Sequence, residues 1–352
     1  MNKGREEMTS YERMMAVLNG ERPDRIPVFP LVTQWCVRQT GFTVYDAIVN
    51  VEKYVYAQYY CLREFGYDMV RDLGGIHCES EAMGSKLNFP EDASPSVSEF
   101  AIKDFTNDLR NLKVPDPYKD GRMPIVLEGV RRLKELCRGK TPVMGYLQAP
   151  FRHASMLRGP DRILRDIYKN PEMVQELLEL CVVTQIVWGT ALVHAGADIL
   201  FISDPMASGD MISPKIWMSI AQPYTTRVVS ALKKLGIKMI MHICGDTSDR
   251  LQSMADTGVD CLSLDQKVNM GEARKILGDH IVLMGNLDPS RMLLLGNADQ
   301  VEEEALNLLC SASGTRRNYI LSSGCVVPIG SPPENIRAMV RAAKKFELPP
   351  QA

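Results

Sequence analysis

The run IKMIMHIC, residues 237–244, is almost wholly apolar and ends in a histidine and a cysteine. Near-continuous apolar runs of this length are typical of parallel β-strands that are buried on both faces. Seven other runs share the pattern, and most of them are followed by a helical pattern. The eight predicted strands are Arg25–Pro30 (RIPVFP), Tyr67–Arg71 (YDMVR), Pro142–Leu147 (PVMGYL), Ala197–Asp204 (ADILFISD), Ile237–Cys244 (IKMIMHIC), Val259–Asp265 (VDCLSLD), Ile281–Leu287 (IVLMGNL) and Tyr319–Cys325 (YILSSGC). Eight strands that alternate with helices predict an α/β protein with a closed (β/α)8 TIM barrel.

Helical patterns surround these runs. Thr9 and Glu12 have the spacing of a capping box, which predicts an N-terminal helix ahead of the barrel that Gly20 closes. Residues 72–141 are poorly periodic apart from one helical stretch, so we expect an insertion between strands two and three. The other predicted helices are Val51–Phe65, Pro124–Cys137, Pro171–Ala195, Pro214–Leu235, Thr247–Thr257, Ala298–Ser313 and Pro333–Lys345. A length of 352 residues fits two ordinary domains or one large barrel, and the strand count favours one domain over residues 1–352.

Composition excludes several classes of protein. The net charge of −2 gives no basic excess for nucleic acid or an anionic membrane surface. The nine cysteines are scattered without a CxxC pair, which is typical of a reducing compartment. The apolar stretch 177–202 contains Glu179 and Asp198, and the first residues lack the apolar core of a secretion signal. We therefore expect a cytoplasmic protein that does not contact membranes.

A metal site is predicted where two of the strands, Ile237–Cys244 and Tyr319–Cys325, end. His242 and Cys244 are two residues apart, so on a strand their side chains point to the same face. Cys325 ends the last predicted strand, and the carboxyl ends of all barrel strands meet at one face. One nitrogen and two sulfurs suit Zn²⁺, and three protein ligands leave a fourth position open for a substrate. The alternative is that these residues only pack in the core.

Other polar residues follow the same strand ends. Asp204, Asp265 and Asn286 are predicted catalytic residues, because each stands at or just after the end of a strand. Asp288 and Gln148 are predicted to bind substrate, and so is His77, the best mouth contact in the insertion. The alternative for the carboxylates is a helix N-cap, above all for Asp288, which precedes Pro289. No GxGxxG follows a strand and no GxSxG elbow is present, so a dinucleotide fingerprint and a serine-hydrolase elbow are both absent.

Several longer motifs together resemble one known family. They are YERMMAVLNGERPDRIPVFP at the start, ESEAMGSKLNFPEDASPSV, DPMASGDMISP, MHICGD, GNLDPSRML and SSGCVVP near the end. This pattern resembles the uroporphyrinogen decarboxylase superfamily over almost the whole chain, and specifically its zinc-dependent, corrinoid-linked methyltransferase branch (methylcobalamin:coenzyme M type). The resemblance implies that His242, Cys244 and Cys325 hold zinc. It also implies a methyl group carried by methylcobalamin or another corrinoid, with the corrinoid on a separate protein that docks at the barrel mouth.

Three functions remain open at this point. The preferred one is methyl transfer between the corrinoid and a small molecule, either a thiol acceptor or a methylated one-carbon donor. A uroporphyrinogen-type decarboxylase is an alternative, but the segment VFPLVTQWCVRQTG lacks the family's arginine-rich motif and has only Arg38. Without several guanidinium groups to bind carboxylates, porphyrinogen binding has little support. The second alternative is a non-catalytic corrinoid-binding protein.

Overall fold

A computed structural model describes residues 7–72, 76–313 and 318–346 of the chain. Its main sheet has seven parallel strands in the order β1-β4-β5-β6-β7-β8-β9. Within these described ranges there are nine strands: β1 Val70–Arg71, β2 Lys86–Asn88, β3 Ser96–Glu99, β4 Val143–Gln148, β5 Ile199–Ser203, β6 Lys238–Ile243, β7 Cys261–Leu264, β8 Val282–Leu287 and β9 Tyr319–Ser323. The predicted TIM barrel is therefore confirmed. We call the end where these parallel strands finish the mouth, and the opposite end the base.

The first predicted strand is the weakest part of the barrel wall. The prediction of a full strand over Arg25–Pro30 was wrong, because Val28 makes only an isolated parallel bridge to Leu321 of β9. The carbonyl of Val28 also accepts a hydrogen bond from the N–H of Asp68, just before β1, so this segment joins the two edge strands. Pro27 and Pro30 have no N–H to donate, which explains why the pairing is so short. The second strand is also shorter than predicted and begins at Val70.

Register determines which side chains share the inner face of the barrel. Tyr146 of β4 pairs with Phe201 of β5, and Ser203 pairs with His242 of β6. Side chains alternate along a strand, so Phe201 and Ser203 point to the same side. The ring of Phe201 contacts the ring of His242 at 5.8 Å between centroids, which puts His242 on that side as well. Ser203 is the last residue of β5 and His242 the last but one of β6, so this pair lies toward the mouth.

Sixteen α-helices lie around the sheet or in its connections. They are α1 Ser10–Leu18, α2 Gln34–Arg38, α3 Val44–Val49, α4 Val51–Phe65, α5 Cys78–Ala82, α6 Phe105–Leu109, α7 Met123–Cys137, α8 Pro150–Arg158, α9 Pro160–Lys169, α10 Pro171–His194, α11 Pro214–Ile216, α12 Gln222–Lys233, α13 Leu251–Ala255, α14 Met270–Leu277, α15 Ala298–Ala312 and α16 Pro333–Lys345. This count covers the described residues alone. The capping box of Thr9 and Glu12 is confirmed.

Two predicted helices differ from the structure. The helix predicted over Pro214–Leu235 is interrupted by a π-helical segment, Trp217–Ala221, between α11 and α12. The helix predicted over Thr247–Thr257 shrinks to α13. Its first residues instead form turns, in which the N–H of Ser248 donates to the side chain of Asp246. Such local bonds from Asp compete with the first turn of a helix, which explains the later start.

The predicted insertion, residues 72–141, contains a small antiparallel hairpin of β2 and β3 together with α5, α6 and α7. Residues 73–75 of this insertion lie outside the described residues. Helix α7 packs against α4 and β4, as a barrel helix should. The added structure therefore lies before α7, between the end of β1 and that helix.

Helix α10 is the one helix, among the described residues, that is long and apolar enough to cross a membrane by length and composition. More than half of its most apolar window is buried inside the protein, against neighbouring helices and β4. This burial is typical of a core helix.

Candidate metal centre and active site

Three predicted metal ligands meet at the mouth. His242 is the last residue but one of β6. Cys244 directly follows β6, and Cys325 comes two residues after the end of β9. The Nε2 atom of His242 lies 3.2 Å from the Sγ atom of Cys244, which lies 3.6 Å from the Sγ atom of Cys325. All three potential ligand atoms lie within 4.8 Å of one another. Since β7 and β8 separate β6 from β9 in the sheet, the cluster forms only because the sheet curves into a barrel.

The imidazole of His242 is fixed in orientation by two contacts. Its Nδ1 atom lies 3.0 Å from the carbonyl oxygen of Ser263 on β7, and a carbonyl can only accept, so Nδ1 carries the hydrogen. Nε2 is then the atom with the free lone pair, and it faces Cys244. The ring also leans on Phe201 at an interplanar angle of 30°. A histidine held in this way is preorganised to give Nε2 to a metal ion.

The two sulfur atoms fit the same interpretation. Cys244 and Cys325 are partly exposed, whereas six of the other seven cysteines are buried and Cys310 is exposed. The hydrogen bond between the two thiols lowers the pKa of Cys244 and raises that of Cys325, because one proton is shared between them. One imidazole nitrogen and two sulfurs are a donor set that suits zinc, and three protein ligands leave one coordination position for a substrate.

Asp265 and Asn286 hold the loops around this cluster. The carboxylate of Asp265 accepts hydrogen bonds from the N–H of Gly245, at 2.9 Å, and from the N–H of Lys267, at 3.0 Å. The amide of Asn286 donates to the carbonyls of Asp265, at 2.9 Å, and Val268, at 2.7 Å. Gly245 directly follows Cys244, so Asp265 fixes the backbone next to a proposed ligand. Both residues are buried, and their side chains bind backbone groups of the surrounding loops.

Asp204 is the carboxylate with the most unusual surroundings. It is fully buried just after β5, and neither of its carboxylate oxygens has a hydrogen-bond partner among the described residues. Burial raises the pKa of Asp204 to about 7, against the smaller opposing effects of the Arg152 charge and of the nearby backbone N–H groups of Met206 and Ala207. Its backbone N–H donates to the carbonyl of His242 at 2.9 Å, which places the residue beside the cluster. A carboxyl group with this pKa can hold or release a proton near neutral pH.

Asp288 is an N-cap, as the alternative for this residue predicted. Its carboxylate accepts hydrogen bonds from the N–H groups of Ser290 and Arg291 and so starts the π-helical segment Pro289–Leu294. Asp288 and Asn286 line one cavity of about 390 Å³ beside α14 and α15, together with Gln266 and Arg291. The structure thus brings these two predicted site residues together.

Gln148 and His77 lie at the mouth, but in different settings. Gln148 is fully buried, and its backbone N–H and side-chain amide both donate to the buried carboxylate of Glu79, at 3.2 and 3.1 Å. Its side-chain oxygen accepts a hydrogen bond from Nε of Arg152 at 3.3 Å. His77 precedes α5 in a left-handed backbone conformation, and its Nδ1 has no partner among the described residues. Burial lowers the pKa of His77 to about 3, so the imidazole is neutral.

Two arginines at the mouth were missed by the sequence reasoning. Arg71 is the last residue of β1 and is 4% exposed, and its guanidinium lies over the rings of Tyr146 and Phe201, at 5.4 and 5.8 Å. It donates from Nε to the carbonyl of Asp72 and has no ion pair among the described residues. Its place at the end of a predicted strand was the signal that could have identified it. The positive charge of Arg152 on α8 lowers the pKa of Cys244 and Asp204, although a thiol contact and burial act more strongly on them.

Comparisons with known proteins agree with this arrangement. Residues 9–346 match the family described as Uroporphyrinogen decarboxylase (URO-D). The chain is 29% identical to the methylcobamide:CoM methyltransferase MtbA of Methanosarcina acetivorans, over 97% of this chain and 99% of that one. It is 31% identical to the uroporphyrinogen decarboxylase of Trichlorobacter lovleyi over 74% of this chain and 75% of that one. A solved structure of a methyltransferase from Methanosarcina mazei superimposes with a TM-score of 0.88 at 27% identity, covering 97% and 99% of the two chains. The chain belongs to the uroporphyrinogen decarboxylase (URO-D) family.

Proposed function

We propose that this protein is a zinc-dependent methyltransferase that moves a methyl group between a corrinoid and a small thiol. The observation that carries the proposal is the convergence of His242, Cys244 and Cys325 at the barrel mouth, with their ligand atoms within 4.8 Å. The relative from Methanosarcina acetivorans, similar over nearly its full length, is named for transfer from a methylcobamide to CoM. A decarboxylase that needs no metal has no use for such a donor set.

The chain's own residues would prepare the thiol for reaction. His242, Cys244 and Cys325 would hold zinc, which when bound stabilises a substrate thiol as the nucleophilic thiolate at neutral pH. The carbonyl of Ser263 keeps Nε2 of His242 turned toward the sulfurs, and Asp265 keeps the loop after Cys244 in place. Asn286 supports Asp265 in turn. Asp204 is our candidate for the group that receives the thiol proton, because its carboxylate is otherwise unpartnered beside His242.

Arg71 would bind the other end of the substrate. A guanidinium buried without a counter-charge is costly, by several kcal/mol in unfavourable cases, unless a ligand supplies the missing anion. The rings of Tyr146 and Phe201 connect Arg71 to His242 along the inner face of the barrel. A short thiol with an acidic group at its far end would span this row, and mercaptoethanesulfonate (coenzyme M) is such a molecule. The corrinoid would come from a separate protein that docks at the mouth.

Metal analysis coupled to methyl transfer tests the proposal. We expect purified protein to hold about one zinc ion per chain and to demethylate methylcobalamin when mercaptoethanesulfonate is added, seen as a change in corrinoid absorbance. His242→Ala and Cys325→Ala should lose both zinc and turnover while they keep the far-ultraviolet circular dichroism of the parent. Cys310→Ala, at an exposed cysteine away from the cluster, is the matched control and should keep both.

The outcomes separate the remaining functions. Full zinc retention in both ligand variants would overturn the metal assignment. Release of carbon dioxide from uroporphyrinogen by metal-free protein would favour the decarboxylase. Binding of methylcobalamin without turnover of any thiol, amine or ether would favour a corrinoid-binding protein.

A further inference from the structure

The two sulfurs of the cluster are already in contact with each other. Their Sγ atoms are 3.6 Å apart, although 81 residues separate Cys244 from Cys325 in the chain. In a disulfide the sulfurs are about 2.05 Å apart, so the two Sγ atoms have to close a gap of about 1.5 Å to form the bond. Both cysteines are partly exposed, so a small oxidant in solvent can reach them.

The backbone around the two cysteines keeps the thiols together. The N–H of Gly245 donates to Asp265 at 2.9 Å, and the N–H of Gly324 donates to the carbonyl of Leu287 at 2.7 Å. Gly324 also lies so close to Gln266 that a Cβ atom there would stand 2.5 Å from a backbone nitrogen. These contacts are made within the protein and involve neither thiol, so we expect both segments to keep their places, and the thiols to stay near each other, when no metal is bound.

We infer that Cys244 and Cys325 form a reversible disulfide when the cluster holds no metal, and that this bond switches the site off. The oxidant is a low-molecular-weight disulfide. One cysteine thiolate attacks it and expels one small thiolate, which leaves a mixed disulfide on the protein. The other cysteine then attacks this bond and expels the second small thiol. The protein loses two electrons and two protons, and the oxidant gains them as two thiols.

The switch follows because the Sγ atoms of Cys244 and Cys325 are both the proposed metal ligands and the atoms that would form the disulfide. A sulfur that shares a bond with the other sulfur is no longer a thiolate and cannot hold zinc. A bound metal ion, in turn, draws on a lone pair of each sulfur and so slows its attack on an oxidant. The consequence for activity rests on the proposed function, whereas formation of the bond depends only on the distance between the thiols.

Oxidation of the full chain with and without metal tests this inference. Metal content is measured first, and the chain is then stripped with a chelator and treated with oxidised glutathione. We expect a Cys244–Cys325 cross-linked peptide by mass spectrometry, loss of zinc uptake, and recovery of uptake after a dithiol reductant. Protein kept in zinc should form the bond at least about tenfold more slowly.

Three variants make the result specific. His242→Ala keeps both thiols and lacks the nitrogen ligand, so it should form the bond without a chelator. Cys325→Ala should stop at a mixed disulfide on Cys244. Cys310→Ser, which removes the exposed bystander, should behave as the parent does.

A lasting mixed disulfide in the metal-free parent chain, or oxidation at Cys310 alone, would overturn the inference. A protein that binds zinc but forms no cross-link refutes the switch and leaves the proposed function standing. A protein that forms the cross-link but never binds zinc refutes the proposed function and leaves the bond standing.

Discussion

Buried arginines at the two ends of the barrel have opposite surroundings. At the base, Asp68 binds both Arg13 and Arg25, each at 2.7 Å, and all three side chains are nearly or fully buried. At the mouth, Arg71 is equally buried, but it has no ion pair among the described residues. Asp204 is the matching case for a carboxylate, because its two oxygens are unpartnered. Buried charges therefore hold the base together, whereas at the mouth Arg71 has no ion pair and the Asp204 oxygens accept no hydrogen bond from the described residues, as our proposal of a ligand there requires.

The base network is satisfied in detail. The carboxylate of Asp68 accepts five hydrogen bonds from the side chains of Arg13, Arg25 and Ser10 and the N–H of Val28. It joins α1, the first barrel segment and the chain before β1. Removing Asp68 would take a buried counter-charge from both arginines, and breaking a buried pair in this way costs far more than the net contribution of the intact pair.

Asp68→Ala should produce the largest effect on stability. We expect the free energy of unfolding to fall by about 3–5 kcal/mol, because Arg13 and Arg25 would both lose a buried counter-charge. Urea denaturation followed by circular dichroism measures the change. The control is Asp210→Asn, which breaks an exposed ion pair with Lys267 and should leave the unfolding midpoint nearly unchanged. Equal losses in the two variants would remove the energetic difference between the buried network and an ordinary surface pair.

We expect Arg71→Met to weaken substrate binding and to leave the stability of the fold intact, the reverse of Asp68→Ala. We expect the KM for an anionic thiol to rise roughly tenfold to a hundredfold, the effect of losing one charge-assisted hydrogen-bond site of about 1.5–3 kcal/mol. Stability should hold or increase, because a buried cation without a counter-charge is replaced by an apolar side chain. Steady-state kinetics with mercaptoethanesulfonate and with uncharged mercaptoethanol measure the split.

The uncharged thiol is the decisive control for Arg71. Its KM should be similar in parent and variant, since it offers no anion to the guanidinium. If the variant raised the KM for both thiols equally, or if it lost as much stability as Asp68→Ala, the role of Arg71 would be structural. Arg71→Lys, which keeps the charge but not the planar fork, should fall between the two.

The same contrast explains what the sequence could predict. His242, Cys244 and Cys325 were found because two simple rules, alternation along a strand and the meeting of strand ends in a barrel, bring them together. Gln148 fitted those rules equally well, yet its polar atoms are bound to Glu79 and Arg152. No spacing rule links residue 148 to a helix in the insertion, so its partners could not be read from the chain. The short first strand was foreseeable, because Pro27 and Pro30 flank Val28.

The buried histidines of the mouth should make the protein sensitive to acid. His153 is fully buried with Nδ1 3.0 Å from the amide of Gln185, and burial lowers its pKa to about 3. His77 has a similar value for the same reason. In the unfolded chain a histidine binds its proton near pH 6.5. The contribution of these neutral histidines to the free energy of unfolding is therefore complete above that pH and is lost as the pH falls toward 3.

His153→Gln should reduce the loss of stability between pH 7 and pH 4, regardless of how the substitution changes stability at neutral pH. Each buried histidine contributes a slope of at most about 1.4 kcal/mol per pH unit in that window. Urea midpoints measured between pH 7 and pH 4 give the slope for parent and variant. His280→Gln, at an exposed position, should keep the parent's slope. An unchanged slope in His153→Gln would assign the acid sensitivity to other groups.

The helix caps at the two ends of the barrel should give the smallest effects on stability, and these effects should be similar at both ends. Thr9 caps α1 at the base, and Thr43 caps α3 on the mouth side, each in a capping box with the acidic residue three positions on. Replacing either threonine by alanine removes one side-chain acceptor for an orphan N–H, at about 1 kcal/mol. We expect Thr9→Ala and Thr43→Ala to lower the unfolding free energy by similar amounts and to leave the KM for the anionic thiol unchanged. If the Thr43 variant alone raised that KM, capping at the mouth would also serve substrate binding, and the division between the ends could not rest on buried charges alone.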